Sequence, residues 1–467
     1  MVKKDKHLNR DLLAGPIFPV LFSVSIPLML NNLIASFYNL ADGLWVAQLS
    51  MVQFSATSFV WPPHYLFVSL GMGVSIAATA IIAQLLGQNE HEKAESYATH
   101  VVLFCVTLGV LLSGVGSSLA PSIVRWMGAT GELASLASAY LSILLLGYFF
   151  DLTYLGFNSI LSAQGKTKVT MIISIISSLL NVVLDPLFIF DYEPVFGLRG
   201  LGMGIAGAAW ATVIAQAVRV ILALAAIRSR ANDVRVRFRG VRLQWQKCLE
   251  LVRVGFPTAL GQSSAALGFT MLNSVVAGYG TPTLGAYAAV NRINGFLTTA
   301  TMGVGGAMTP IIGQNLGAEE KNRVKKFVRA AFIVSTVLSV SGALLQWILR
   351  YPLLSLFKLS SHGEEQLVWQ LAMDYMPFSV LMTPFVGYFG LFAGIFSGSG
   401  YQKYAAMMSI GRLWVLRLPL IYLFQRFTNM GPEAIWIAMT ASTVLIDLFG
   451  VVLFCRGKWF NEPKIKH

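Results

Sequence analysis

The chain has 467 residues, 55% of them hydrophobic and 12% charged, with a mean hydropathy of +0.66. Soluble domains carry about 25% charged residues, so this composition excludes a soluble enzyme and points to a polytopic α-helical membrane protein embedded in a lipid bilayer. The net charge of +13 reads as membrane topology rather than nucleic-acid binding, because Lys and Arg collect in loops on one side of a membrane.

The apolar runs are long, which argues against a β-barrel and its short alternating segments. The first run is too long for a signal-peptide core and has no cleavage-like end, so it is expected to be retained as a helix. Cys105, Cys248 and Cys455 are far apart and form no CxxC, so neither a disulfide framework nor a zinc site is expected. Taken in chain order, and at about 20 apolar residues per crossing, twelve spans are predicted: 16–46, 53–86, 95–119, 134–163, 169–190, 201–227, 249–279, 286–316, 325–349, 368–398, 404–426 and 433–455. Several exceed a straight crossing and imply tilt or extension. Pro27 and the pair Pro62-Pro63 lie inside spans and are expected to kink them.

Basic residues set the orientation. Lys3, Lys4, Lys6 and Arg10 precede the first span, and Arg228, Arg230, Arg235, Arg237, Arg239, Arg242 and Lys247 fill the central linker. Lys321, Arg323, Lys325, Lys326 and Arg329 follow the eighth span or begin the ninth, and Arg456, Lys458, Lys464 and Lys466 close the chain. With twelve spans all of these fall on one side, opposite Arg125, Arg199, Arg350, Lys358 and Arg426. The positive-inside rule then makes both termini and the linker cytoplasmic, with the protein in the plasma membrane.

The chain repeats itself. Ile26-Pro27 falls on Phe256-Pro257, Val46-Ala47 on Val276-Ala277, Met72-Gly73-Val74 on Met302-Gly303-Val304, Gln84 on Gln314 and Gly87 on Gly317, all 230 positions apart. Later in each half, Phe157, Ile160, Ser162, Gly165 and Lys168 fall on Phe392, Ile395, Ser397, Gly400 and Lys403, now 235 positions apart. Two homologous halves of the same orientation predict two pseudo-symmetric six-helix bundles, an architecture typical of transporters. The expected division is an N-terminal lobe (1–227), a basic cytoplasmic linker (228–248) and a C-terminal lobe (249–467).

Acidic residues in or near the spans are Asp42, Asp151, Asp185, Asp374 and Asp447. Placing each in a membrane costs about 2.5–3.5 kcal/mol on insertion scales, which makes each a functional candidate. Asp374 lies near a span end, where it can reach water, and Asp447 is expected to be structural. Tyr38 precedes Asp42 by four residues and Asn181 precedes Asp185 by four, so each pair shares a helical face. Pro186 removes the amide donor that would serve the carbonyl of Val182. Oxygens so arranged suit a hard cation such as Na⁺; a desolvated carboxylate equally suits a proton. In the second half the equivalents of Asp42, Asn181 and Asp185 are Leu272, Leu416 and Leu420, so the ion chemistry is expected in the first half alone.

The set Ile26-Pro27, Tyr38-Asn39-Leu40-Ala41-Asp42, Gly87-Gln88, Asn158-Ser159-Ile160-Leu161, Asn181-Val182-Val183-Leu184-Asp185-Pro186, Gly207-Ala208-Ala209-Trp210-Ala211-Thr212 and Gly313-Gln314-Asn315-Leu316-Gly317-Ala318 resembles the multidrug and toxic compound extrusion (MATE) transporters. The resemblance covers almost the whole chain in order. It implies twelve helices in two lobes and Na⁺- or H⁺-driven antiport of organic, often cationic and amphipathic, drugs, with no covalently bound cofactor. It also implies that Asp42, Asn181, Asp185 and Thr212 form the cation site, with Tyr38 beside it. NorM-like and eukaryotic members carry an acid in the seventh helix; residues 256–280 contain none, Gln262, Ser263 and Ser264 being the nearest polar groups. The pattern is closer to the DinF-like branch.

Asn39, Asp151, Gln262, Asn273 and Arg292 are the candidates for lining a substrate cavity, and a monomer is expected. Gly202-Met203-Gly204-Ile205-Ala206-Gly207 spells GxGxxG but opens an apolar span, so helix packing rather than nucleotide binding is expected there. No Walker A motif, His-rich cluster or nucleophile–base pair is visible, which disfavours an ATP-driven pump or an enzyme. The alternative function is a lipid-linked oligosaccharide flippase, for which Arg292, Arg412 and Arg417 would be cavity cations.

Overall fold

In the computed structural model, residues 10–192, 197, 199–229, 232–236, 244–355 and 366–461 are described. Lys3, Lys4, Lys6, Arg230, Arg237, Arg239, Arg242, Lys358, Lys464 and Lys466 lie outside the described residues, as does the side chain of Arg10.

Among the described residues twelve helices are long enough to cross a bilayer. The first half contains α1 (Ile17–Val46), α2 (Met51–Gly87), α3 (His91–Trp126), α4 (Gly131–Ala163), α5 (Thr167–Ile189) and α6 (Ile205–Arg228). The second contains α7 (Trp245–Ala277), α8 (Thr281–Gly317), α9 (Lys321–Ile348), α10 (Gln366–Gly398), α11 (Gln402–Phe427) and α12 (Glu433–Cys455). Ten of these are apolar enough to be membrane spans by composition alone. The other two, α7 and α8, are rich in Gly, Ser, Thr and Asn and line the space between the bundles. Each predicted span has its helix, but α3 extends well beyond 95–119 at both ends. Its added residues include Glu92, Lys93 and Arg125, and helical hydrogen bonding does not stop where hydropathy does. Pro27, Pro62, Pro63 and Pro186 are all held inside continuous helices.

Packing repeats with the sequence. In the first bundle α4 packs on α2, α3 and α6, and α1 on α5; in the second α10 packs on α8, α9 and α12, and α7 on α11. The turns repeat as well. Asn89 and Glu319, at equivalent positions, both adopt positive φ (62° and 58°), and the next amide in each turn reaches back to the helix, Glu90 N to Leu85 O at 3.0 Å and Glu320 N to Asn315 O at 2.9 Å. Within GxGxxG the glycines divide their work: Gly202 and Gly204 take positive φ in the turn before α6, Gly204 lies against the Gln53 side chain of α2, and Gly207 packs over the Phe188 carbonyl of α5. The expectation of helix packing for the whole motif is corrected accordingly.

The bundles meet through α1, α2, α7 and α8. At the basic end each first helix inserts into the opposite bundle. Val20, Leu21 and Val24 of α1 join the core of α8, α9 and α10; Leu251 of α7 joins the core of α2, α3 and α4, with Val254 packed against it. A short helix, Arg10–Ala14, is held to the second bundle by Arg323 and Asn315, which donate to the Leu12 carbonyl at 3.2 Å each. On the outer faces, Val110, Leu111, Val115 and Leu119 of α3 and Val337, Val340, Leu344 and Leu345 of α9 are exposed, an apolar surface of the kind lipid covers.

Candidate functional site

Within the first bundle, α1, α5 and α6 bring polar side chains into an otherwise apolar interior. Asn181 of α5 donates from Nδ2 to the Thr212 hydroxyl of α6 at 3.3 Å, and the Tyr38 hydroxyl of α1 meets the same oxygen at 3.5 Å. Both contacts are long for hydrogen bonds. One helical turn beyond Asn181, Asp185 is fully buried at 0% exposure, and neither of its carboxylate oxygens has a hydrogen-bond partner. Oδ1 of Asp42 and Oδ1 of Asn181 are likewise buried and unpartnered. Asp42 and Asp185 are within electrostatic reach of one another. Four orphaned oxygens from three side chains are the donor set a small hard cation takes, and an unpaired buried carboxylate otherwise has to be protonated. Among the described residues no group of three or more His, Cys, Asp or Glu is gathered for a transition metal.

Sequence reasoning missed Tyr140 on α4, which is buried and lies within electrostatic reach of Asp42, Tyr38 and Asp185. Its only signal was a polar aromatic at a core-facing helical position. Asp151, offered as a cavity residue, is instead engaged by Arg219 of α6, Nη1 to Oδ1 at 3.7 Å, and that guanidinium also covers the Tyr154 ring at 3.8 Å.

A cavity of about 610 Å³ lies between the bundles, lined by α1, α2, α4, α5, α7, α8, α10 and α11. Of the proposed cavity residues it is lined by Gln262; Asn39, Asn273 and Arg292 are exposed and not part of its wall. Trp61 and Tyr65 stack at 5.1 Å on one side. Arg412 stands on the other, over the Phe389 ring at 4.2 Å. Below the cavity the basic end is closed. The side-chain amide of Gln84 (α2) donates to the carbonyl of Gly398 (α10) at 2.8 Å, and that of Gln314 (α8) to the carbonyl of Ala163 (α4) at 2.6 Å.

Deeper in the second bundle, residues Gly411–Arg417 of α11 form a π-helical turn. Arg417 donates to Ser442 (3.0 Å), Thr443 (2.9 Å) and the Met439 carbonyl (3.2 Å) of α12. Of the three arginines a flippase reading needs, Arg292 is exposed, Arg417 is satisfied internally, and only Arg412 lines the cavity.

Twelve helices in two pseudo-symmetric bundles, with a cavity between them and unpartnered buried carboxylates within them, define a multi-pass membrane transporter. The MatE family model matches residues 27–187 and 257–423, one stretch in each bundle, and the chain belongs to that family. It is 24% identical over 440 residues to the probable multidrug resistance protein YoeA of Bacillus subtilis (strain 168), covering 93% of each chain. It is 23% identical over 447 residues to the probable multidrug resistance protein NorM of Thermotoga maritima, covering 94% of this chain and 92% of the other. An outward-facing multidrug resistance MATE family transporter of known structure superposes with a TM-score of 0.88 at 24% identity, over 98% of this chain and 99% of that one. These relatives give the flippase alternative no support.

Proposed function

We propose that this transporter is a cation-coupled antiporter, not an enzyme, which exports small organic molecules by alternating access of its two lobes. The observation that carries this reading is the buried carboxylate of Asp185, with both oxygens unpartnered, beside Asp42, Asn181, Thr212 and Tyr38. In this scheme Na⁺ or H⁺ enters the N-terminal lobe from outside and binds between Asp42 and Asp185. Each charge that moves inward contributes about 2.3 kcal/mol per 100 mV of membrane potential. Ion and substrate must favour different states of the lobes for transport to be coupled. Closure of the basic end supports the idea that the present state takes substrate from, or releases it to, the opposite side.

The lobes are taken as residues 1–227 and 249–467, joined by the linker 228–248. The protein is taken to be a monomer in the plasma membrane with both termini cytoplasmic and, lacking an acid over residues 256–280, a member of the DinF-like branch. An organic-cation preference, carried by the resemblance, meets a counterweight in the cavity, where Arg412 is the charged lining residue.

The test is transport in proteoliposomes under an imposed Na⁺ or H⁺ gradient, one at a time. Accumulation driven by one gradient and abolished in Asp185→Asn supports coupling at this site. Equal accumulation with neither gradient present would remove the antiport reading.

A further inference from the structure

The geometry points to Arg412 as the recognition site for an anionic group, a carboxylate, sulfonate or phosphate, on an aromatic substrate held in the central cavity. Resting on the transporter reading, this makes organic anions and zwitterions, rather than simple organic cations, the substrate class of this chain.

Arg412 is 9% exposed and its Nε has no hydrogen-bond partner. Among the described residues the ion pairs are Lys93–Glu90, Lys166–Asp233 and Arg219–Asp151, so Arg412 belongs to none. Its contact is the face of Phe389. A buried guanidinium without a counter-charge is unfavourable, and the groups around it leave the charge standing. Arg417, five residues on, is satisfied by hydroxyls and a carbonyl of α12. Asp447 of α12 is 4% exposed, with neither oxygen hydrogen-bonded. It is within electrostatic reach of Arg412 but makes no ion pair with it. Two buried arginines against one buried acid leave an excess positive charge at the cavity wall. Among the described residues no Asp or Glu lines the cavity to attract a cation.

The remaining wall suits the rest of such a molecule. Trp61 and Tyr65 form a stacked platform, Phe269 and Phe389 add aromatic surface, and the buried hydroxyl of Thr258 lacks a partner. About 610 Å³ is within the range for a drug-sized ligand. Arg, with its planar fork of donors, is the side chain that binds carboxylates and phosphates bidentately.

Fluorescein and rhodamine 6G share a ring frame and differ in the sign of their charge. Their binding to the purified protein in non-ionic detergent can be read by fluorescence anisotropy. The wild type is expected to bind fluorescein at least about tenfold more tightly than rhodamine 6G, the scale of one charge-assisted hydrogen-bonded contact. Arg412→Gln should lose about tenfold on fluorescein alone, and Arg412→Lys, which keeps the charge without the bidentate fork, should fall between the wild type and the Gln variant. Because Arg412→Gln strands Asp447, the double variant Arg412→Gln/Asp447→Asn is measured beside it and should show the same loss. Rhodamine 6G preferred by the wild type, or fluorescein affinity unchanged within about twofold in a folded Gln variant, overturns the proposal. Ion-driven transport of rhodamine 6G, with fluorescein neither preferred by the wild type nor lost in the Gln variant, would leave the transporter reading standing while this one fell.

Discussion

Gln84 donates its side-chain amide to the carbonyl of Gly398 at 2.8 Å, and so ties the first bundle to the second beneath the central cavity. Its repeat-mate Gln314 makes the reciprocal contact to Ala163 at 2.6 Å, and Ala163 is itself the repeat equivalent of Gly398. The closure is therefore a pseudo-two-fold latch, with each lobe supplying one donor and one acceptor. All four residues are buried, so breaking the latch exposes two amides and two carbonyls that need new partners, at about 1 kcal/mol net per bond.

Replacing Gln84 by Ala should loosen this end. In a Cys455→Ser background, with Cys105 and Cys248 buried, a cysteine placed at Ser162 in the cavity wall reports access from the basic side. Gln84→Ala is expected to raise its labelling by a membrane-impermeant thiol reagent about fivefold. Gln314→Ala should do the same, because the two bonds are equivalent by symmetry. Unchanged labelling in both would mean that the latch does not hold the closed state.

Gly87 and Gly317 let the ends of α2 and α8 cross at backbone contact. A Cβ at Gly87 would fall on the Gln314 carbonyl, and one at Gly317 on the Gln84 carbonyl. Gly87→Ala should therefore raise Ser162→Cys labelling at least as much as loss of Gln84. Gly114, on α3 with nothing within 4 Å of its Cβ position, is the control: Ala there should be neutral or stabilising by up to about 1 kcal/mol.

For the ion site, Asp42→Asn and Asp185→Asn should each abolish gradient-driven transport at near-normal expression, because each removes a charge at almost constant volume. Asn181→Ala is expected to shift the ion-concentration midpoint about tenfold, as loss of one oxygen ligand near a charge. Tyr38→Phe should shift it far less, since its hydroxyl stands 3.5 Å from Thr212. A larger effect for Tyr38→Phe than for Asn181→Ala would reverse the assigned roles.

Leu272, equivalent to Asp42, is fully buried in the outer core of the second lobe. Leu272→Ala should cost about 2–5 kcal/mol of stability, seen as a lower melting temperature, with the ion midpoint unmoved. Leu416 and Leu420 are only partly buried and should cost less. An ion midpoint displaced tenfold by these leucine variants would put the coupling site in the wrong lobe.

Asp151→Asn discriminates pairing from coupling. It strips Arg219 of its counter-charge in a partly exposed pair, so about 1–3 kcal/mol of stability should be lost. Ion dependence measured by transport should stay as in the wild type. A midpoint that moved with this substitution would extend the coupling network to α4.

The amino-acid sequence by itself determined the class of protein, the number of helices and the two-fold repeat. Long apolar runs have few alternatives in a bilayer, and an equal offset between matched residues needs no coordinates to be read. It also named Asp42, Asn181 and Asp185, since residues four apart share a helix face and charge inside a span is costly, whereas Thr212 came only from the family resemblance. What it left undecided depends on which helices touch. Gln84 and Gln314 were legible as repeat markers, yet their reciprocal bonds to Gly398 and Ala163 require the two bundles to be docked. Arg219, far along α6, finds Asp151 only because α4 and α6 pack. On an ordinary helix Arg412 and Arg417 would point well apart; a π-helical turn, with hydrogen bonds five residues back, brings both inward, and the packing of α12 then satisfies one and leaves the other facing the cavity.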